Sequence, residues 1–189
     1  MKKEEKEHID KEQSSLSFII ELIIYFVLII IITNFITSHV VQRTIVEGWS
    51  MENTLYDGDN IIVEKVSHRL GRLERFDIIA FYPNGKDTKD YYIKRIIGLP
   101  GEHVRITDNK IYIDSVPLEE DYGKTDILGY EGIAEEGIVL SEDEYFVLGD
   151  NRTDSYDSRY EEVGPVKFDK IEGKAVLRIW PLNDFGTLD

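Results

Sequence analysis

The sequence predicts a mainly β domain carried on one N-terminal membrane-spanning helix. Three observations predict it: an apolar run of membrane length near the start, short β-branched segments punctuated by turn residues after it, and no helical pattern alternating with those segments. A chain of 189 residues, less one span, leaves about 150 residues, enough for a single core. The formal net charge of −15 argues against a nucleic-acid partner, because a phosphate-binding face needs clustered Lys and Arg. With no cysteine, disulfides, thiolate zinc sites and a cysteine nucleophile are excluded.

The first element is the stretch from Leu16 to Thr37, 22 residues interrupted by Glu21 and Asn34, which as a helix crosses roughly 30 Å of hydrocarbon. Glu21 lies close enough to its start to sit among headgroups, so the dry part begins at Leu22. Lys2, Lys3, Lys6 and Lys11 precede the run, whereas Arg43 alone lies among the fifteen residues after it. That asymmetry predicts a cytoplasmic tail at 1–15, an anchor at 16–37 and an extracytoplasmic domain at 38–189 of the cell membrane. A cleaved secretory signal is the competing reading. The run is long for one, and Thr37-Ser38-His39 stands where an Ala-x-Ala site would be needed.

Strands are expected at Asn60–Val66, Asp77–Phe81, Tyr91–Ile97, His103–Thr107, Ile111–Ile113, Tyr145–Leu148 and Ala175–Ile179, each rich in β-branched or aromatic residues. Asp108-Asn109 reads as the turn of a hairpin, and Asp114-Ser115 as a second turn. From Leu118 to Asp143 the chain is rich in Glu, Asp and Gly, and reads as a surface excursion with a solvated acidic face.

Ser50, in Gly48-Trp49-Ser50-Met51, follows the apolar run by thirteen residues. Taken alone it is an ordinary turn serine. Glu52 occupies the place of the second glycine of a nucleophile elbow, which argues against an α/β-hydrolase. His68 and His103 are the available histidine bases, and both read as surface or strand residues. No His-Glu-x-x-His helix or histidine cluster exists, so neither a metal nor another cofactor is expected. Lys94 is the better base. In an extended Tyr91–Ile97 it shares a face with Tyr92 and Ile96, and desolvation there can lower a lysine from about 10.4 by up to roughly 3 to 5 units. Without other motifs the same residue reads as a lysine snorkelling from an edge strand. A third segment, Gly149-Asp150-Asn151-Arg152-Thr153-Asp154-Ser155-Tyr156-Asp157-Ser158-Arg159, combines a tight turn with several potential carboxylate–guanidinium pairs.

Together these segments resemble bacterial type I signal peptidases, membrane-bound serine proteases that remove leader peptides from exported proteins. The resemblance rests on Ser50-Met51 with Thr54-Leu55, Gly58-Asp59, Arg75 to Ile79, Tyr92 to Glu102, Gly149 to Arg152, Ser155, Asp157-Ser158-Arg159 and Gly173-Lys174-Ala175, in the family's order. It implies a signal-peptidase-like catalytic domain with a small inserted cap region, covering the hairpin and acidic insertion at about 103–143. It implies Ser50 as nucleophile, Lys94 as general base, and Ser155 as a hydrogen-bond partner that orients the amine. Asp157 with Arg159, and Arg95 with Asp150, become bracing ion pairs, while Val46, Met51, Leu55, Tyr92 and Ile93 line shallow pockets for small residues before the cut. The Ser50 amide is the implied oxyanion donor.

Two departures stand out. Gly48 replaces a small hydroxylated residue that supplies a second oxyanion donor in such families, and Asn53 replaces the usual proline. The implied partners are preproteins with N-terminal signal peptides and membrane lipids, with no nucleic acid and a monomeric enzyme. Two rivals remain. A cytoplasmic self-cleaving repressor-type protease shares the Ser–Lys logic but lacks an anchor and carries a DNA-binding domain. A non-enzymatic membrane-anchored binding or assembly protein could reuse the same β-domain.

Overall fold

The computed structural model describes residues 2–71, 73–87, 91–123 and 130–188, with side chains from residue 17 onward. Two units are distinguished, one ending at Val40 and one beginning at Val41. The first is a single helix α1, Lys2–His39, whose Ser17–His39 portion is long and apolar enough to cross a membrane. Within it Tyr25 donates to Glu21 one turn earlier, which gives that carboxylate a polar neighbour on the same face.

The second unit is mainly β. Its strands are β1 (Val41–Ile45), β2 (Asn60–Glu64), β3 (Ile78–Phe81), β4 (Tyr92–Gly98), β5 (His103–Thr107), β6 (Lys110–Ile113), β7 (Val116–Pro117), β8 (Ile138–Val139), β9 (Glu144–Leu148), β10 (Val166–Lys167), β11 (Ile171–Trp180) and β12 (Gly186–Thr187). The large sheet runs β1-β2-β11-β3-β4-β9-β10 with β12 on β11, and a smaller sheet runs β7-β6-β5-β8. Every pairing is antiparallel.

Side-chain alternation distributes the core. Ile79 and Phe81 of β3, Ile96 of β4 and Tyr145 and Val147 of β9 enter one buried cluster with Ile171. Ile78 and Ala80 turn the other way, to pack with Val46, Met51, Leu55, Ile61, Val63 and Ala175 beneath the segment carrying Ser50. Phe146, Leu148 and Ile97 join Val104, Ile106 and Ile111 of the small sheet in a third cluster. Gly98 ends β4 at a bulge, where an added Cβ would press on Val104 and Leu140, so the two sheets can approach closely only over glycine.

Turn chemistry is as expected at two hairpins: Asp108-Asn109 and Asp114-Ser115 each place both residues at positive φ, as two-residue connections demand. Other expectations need correction. The strand expected at Asn60–Val66 stops at Glu64, because the Glu64 carboxylate accepts from the Val66 and Ser67 amides and starts a helical turn, α2 (Val66–Arg69). The stretch Leu118–Asp143 is only partly solvated. Ala134 and Leu140 are buried, Ile138–Val139 extends the small sheet, and residues 124–129 lie outside the described set. Its described acidic residues include Glu120, which pairs with buried Arg152 rather than with water.

Candidate active site

The Ser50 segment is a compact turn whose backbone bonds close on themselves. Val46 donates to Asp59, Gly58 donates back to Val46, and Leu55 donates to Met51. Fully buried Met51 and Leu55 pin its underside, each side chain contributing about 1.5–3 kcal/mol of burial. Arg178 braces the far end by donating to the Thr54 carbonyl and to the Asp59 carboxylate. The turn needs left-handed backbone: Gly48 has φ +87° and Asn53 has φ +96°. Proline is fixed near φ −65°, so it does not fit position 53 in this conformation, where Asn53 also donates to the Tyr122 carbonyl.

The loop after β9 holds this turn from above. The Asn151 amide donates to the Ser50 carbonyl at 3.0 Å, and its side-chain amide donates to the Trp49 carbonyl at 3.2 Å. Gly149 lies between the two segments. A Cβ built there would overlap both the Ser50 carbonyl oxygen and Ser155 Oγ, so only glycine permits this approach.

Lys94 stands in β4 opposite Ile79 of β3 and is 4% exposed. Its Nζ donates to Ser50 Oγ at 2.6 Å and lies 5.4 Å from the centre of the Tyr92 ring. Burial pushes the amine down from 10.5 to about 8; the Asp157 and Asp150 carboxylates hold it up and Arg159 pushes it further down. With the amine neutral the bond reverses, and the Ser50 hydroxyl donates to the nitrogen lone pair. That geometry permits direct proton transfer from a hydroxyl to an amine.

Two bidentate ion pairs flank the dyad. Arg95 donates to Asp150 through Nε and Nη2 at 2.9 and 2.8 Å, with both side chains fully buried. Arg95 also donates to the Phe76 carbonyl and to Thr54 Oγ1, while Thr54 donates to Asp150, which ties the Ser50 turn to this pair. The Tyr122 ring lies 3.7 Å from the guanidinium carbon of Arg95. Arg159 donates to Asp157 at 2.8 and 2.9 Å and to the Arg152 carbonyl, and Asp157 Oδ2 also accepts from the Gly149 amide. Arg152 forks onto Glu120 and donates to the Gly149 carbonyl.

The sequence reading brought Ser50, Lys94 and both ion pairs to one place. Ser155 differs: its Oγ is buried and has no hydrogen-bond partner among the described residues, so the expected bond to the amine is not formed. Packed against Gly149 Cα, it leaves Ser50 as the amine's partner. Leu55 also departs: it packs in the core beneath the turn and is not among the residues that line the cleft. Val46, Met51, Tyr92 and Ile93 do line a cleft of about 570 Å³ that opens onto Ser50 and Lys94. Thr54, Glu120, Tyr122 and Asn151 were missed as supports. Each partners a residue at least 27 positions away, and nothing local in the sequence signals that. Gly48 supplies no side-chain donor, and its amide is taken by Asp57 at 2.8 Å. Among the described residues no group of three or more His, Cys, Asp or Glu is arranged to hold a metal ion.

Comparison with known proteins identifies relatives of this chain. The sequence profile of the family described as "Signal peptidase, peptidase S26" matches residues 19–180. A probable signal peptidase I-2 from Synechocystis is 38% identical over 157 residues, spanning 81% of this chain and 69% of that one. Signal peptidase I of Bacillus caldolyticus is 37% identical, spanning 77% and 83%. Signal peptidase IB of Staphylococcus aureus (strain COL) is 32% identical over 184 residues, spanning 90% and 92%. A crystal structure of a signal peptidase I from Enterococcus faecalis V583 is 39% identical, with a TM-score of 0.44 over 54% of this chain and 95% of that one.

Proposed function

The chain belongs to the S26 family of signal peptidases, and from that premise we propose that it cuts N-terminal signal peptides from exported preproteins with Ser50 as nucleophile and Lys94 as general base. The observation that carries the reading is the 2.6 Å approach of Lys94 Nζ to Ser50 Oγ, with the amine lowered to about 8 by burial. Neutral Lys94 takes the Ser50 proton as Oγ attacks the scissile carbonyl. The tetrahedral oxyanion is held by the Ser50 amide, and collapse breaks the C–N bond while Lys94 returns its proton to the leaving amine. Water then loses a proton to Lys94, attacks the ester and releases Ser50, whose oxygen recovers that proton.

Asp150, Arg95, Asp157 and Arg159 hold the two segments in register, and Ser155 occupies the buried space beside Gly149 as a positioning group. Val46, Met51, Tyr92 and Ile93 form the wall that accepts small residues before the cut. The reading places the Ser17–His39 helix in the cell membrane as a single anchor, with the lysine-rich amino terminus cytoplasmic and the β-domain outside. Thirteen residues from the end of the apolar run reach at most about 43 to 47 Å, which keeps Ser50 near the membrane surface where a leader's cleavage site emerges. The enzyme works as a monomer in contact with lipid.

The test is cleavage of a purified preprotein by membranes containing the wild-type chain, Ser50→Ala or Lys94→Ala. Both variants should lose processing. Unchanged cleavage in either removes the dyad, and binding without cleavage by the wild type replaces the enzyme with an anchored binding protein.

A further inference from the structure

The cleft beside the dyad carries charge that the proposed chemistry does not use. Its lining includes Glu47 next to the Ser50 turn and Asp154 in the loop after β9, and its remaining charged side chain is Lys94. Glu47 and Asp154 are exposed, and neither carboxylate has a side-chain partner among the described residues. The carboxylates that matter to the scaffold, Asp150 and Asp157, are by contrast buried and bidentate. Tyr156 stands beside Asp154 in the cleft lining, its ring tilted 46° against that of Tyr160 with the centroids 4.5 Å apart.

When Lys94 is neutral, as its role as base requires, Glu47 and Asp154 are the formal charges left in the cleft. We propose that Glu47 and Asp154 are specificity-determining residues, which select substrates with a basic or neutral residue beside the scissile bond and discriminate against an acidic one. The inference rests on the signal-peptidase reading and adds a charge preference to it. The first and third residues before the cut are already constrained to be small, so the preference falls on the second residue before it and the first two after it. Unpaired carboxylates within a few ångströms of a bound side chain act through a dielectric close to that of water, so each gives a severalfold effect that salt weakens.

The experiment uses the full chain in detergent and a signal-peptide substrate changed at each of those three positions, singly, to Lys, Gln or Glu. At low salt, kcat/KM for the Lys peptide should exceed that for the Glu peptide about tenfold at one or more positions, shrinking in 0.5 M salt. Glu47→Gln with Asp154→Asn should bring the ratio toward one, and Glu47→Lys with Asp154→Lys should invert it. Ratios within twofold at every position in the wild type, or a preference that survives the double neutralisation, overturn the proposal. Cleavage of the Gln peptide by the wild type, and its loss in Ser50→Ala, reports separately on the dyad. The charge preference can therefore fail while the catalytic reading stands.

Discussion

Raising the pH from 6 to 9 should increase kcat/KM roughly ninety-fold, with a single-proton limb that bends at about pH 8. At pH 7 about one chain in eleven carries neutral Lys94, against about three in ten thousand for an unperturbed lysine, so burial raises the supply of base some 300-fold. The assay is steady-state cleavage by the full chain of a peptide with no titrating group in that range. A rate flat from pH 6 to 10, or a limb still rising past 10, refutes the assignment of base. The same shift predicts stability. The folded value lies below the unfolded one, so below pH 8 both states hold the proton and the fold bears the whole cost of a buried ammonium. Between 8 and 10.5 the unfolded chain keeps a proton the folded chain has released, and stability rises with pH. The drop from 10.5 to about 8 corresponds to about 3 kcal/mol. Lys94→Met should therefore stabilise the domain at pH 7 by an amount approaching that, and lose the advantage above pH 10.5. Thermal unfolding at the two pH values measures it, and equal effects at both would refute the linkage.

Asp157→Asn leaves Arg159 buried and unpaired, so unfolding should be easier by about 3–5 kcal/mol. The surviving activity should show its limb below that of the wild type, because Asp157 is the largest influence holding the Lys94 amine up; an unchanged or higher midpoint argues against that coupling. Gly149→Ala forces a methyl group against the Ser50 carbonyl and Ser155, and a displacement of about 1 Å at the nucleophile should cost about a hundredfold in kcat. Circular dichroism should show the fold retained; activity within threefold of wild type would show that the approach is not tight.

The strands that sequence made legible are those whose β-branched residues are bounded by turn signals, such as His103–Thr107 and the hairpin at Asp108-Asn109. β1 escaped notice because Val41–Ile45 follows the apolar helix with only one residue between and reads as its continuation. β11 was seen only from Ala175. Its earlier part carries Glu172 and Lys174, polar residues committed to Lys65 and Asp77 on other elements, and the strand pattern is broken again by bulges beyond Ala175. Ser50 and Lys94 were legible as a candidate pair through the ordered set of segments that carries the family resemblance, since each alone reads as a turn serine or a snorkelling lysine. The supports supplied by Glu120 and Tyr122 were not, because an acidic loop looks solvated until Arg152 is known to be buried against Glu120 and the Arg95 guanidinium to lie over the Tyr122 ring.

The placement of charge around Lys94 explains why burial can act on it. A lone buried aspartate next to the amine would keep the proton on and disable the base. Here each nearby carboxylate is spent on its own guanidinium: Asp150 on Arg95 and Asp157 on Arg159, each in a two-point contact. The upward pull of the two aspartates is thus opposed by an arginine, and desolvation is the largest influence that remains. The same pairs fix the chain on either side of Ser50, through Thr54 on one flank and Gly149 on the other. On the proposed mechanism the ion pairs therefore act twice, by positioning the Ser50 hydroxyl and, through Arg159, by weakening the field that would otherwise keep Lys94 protonated.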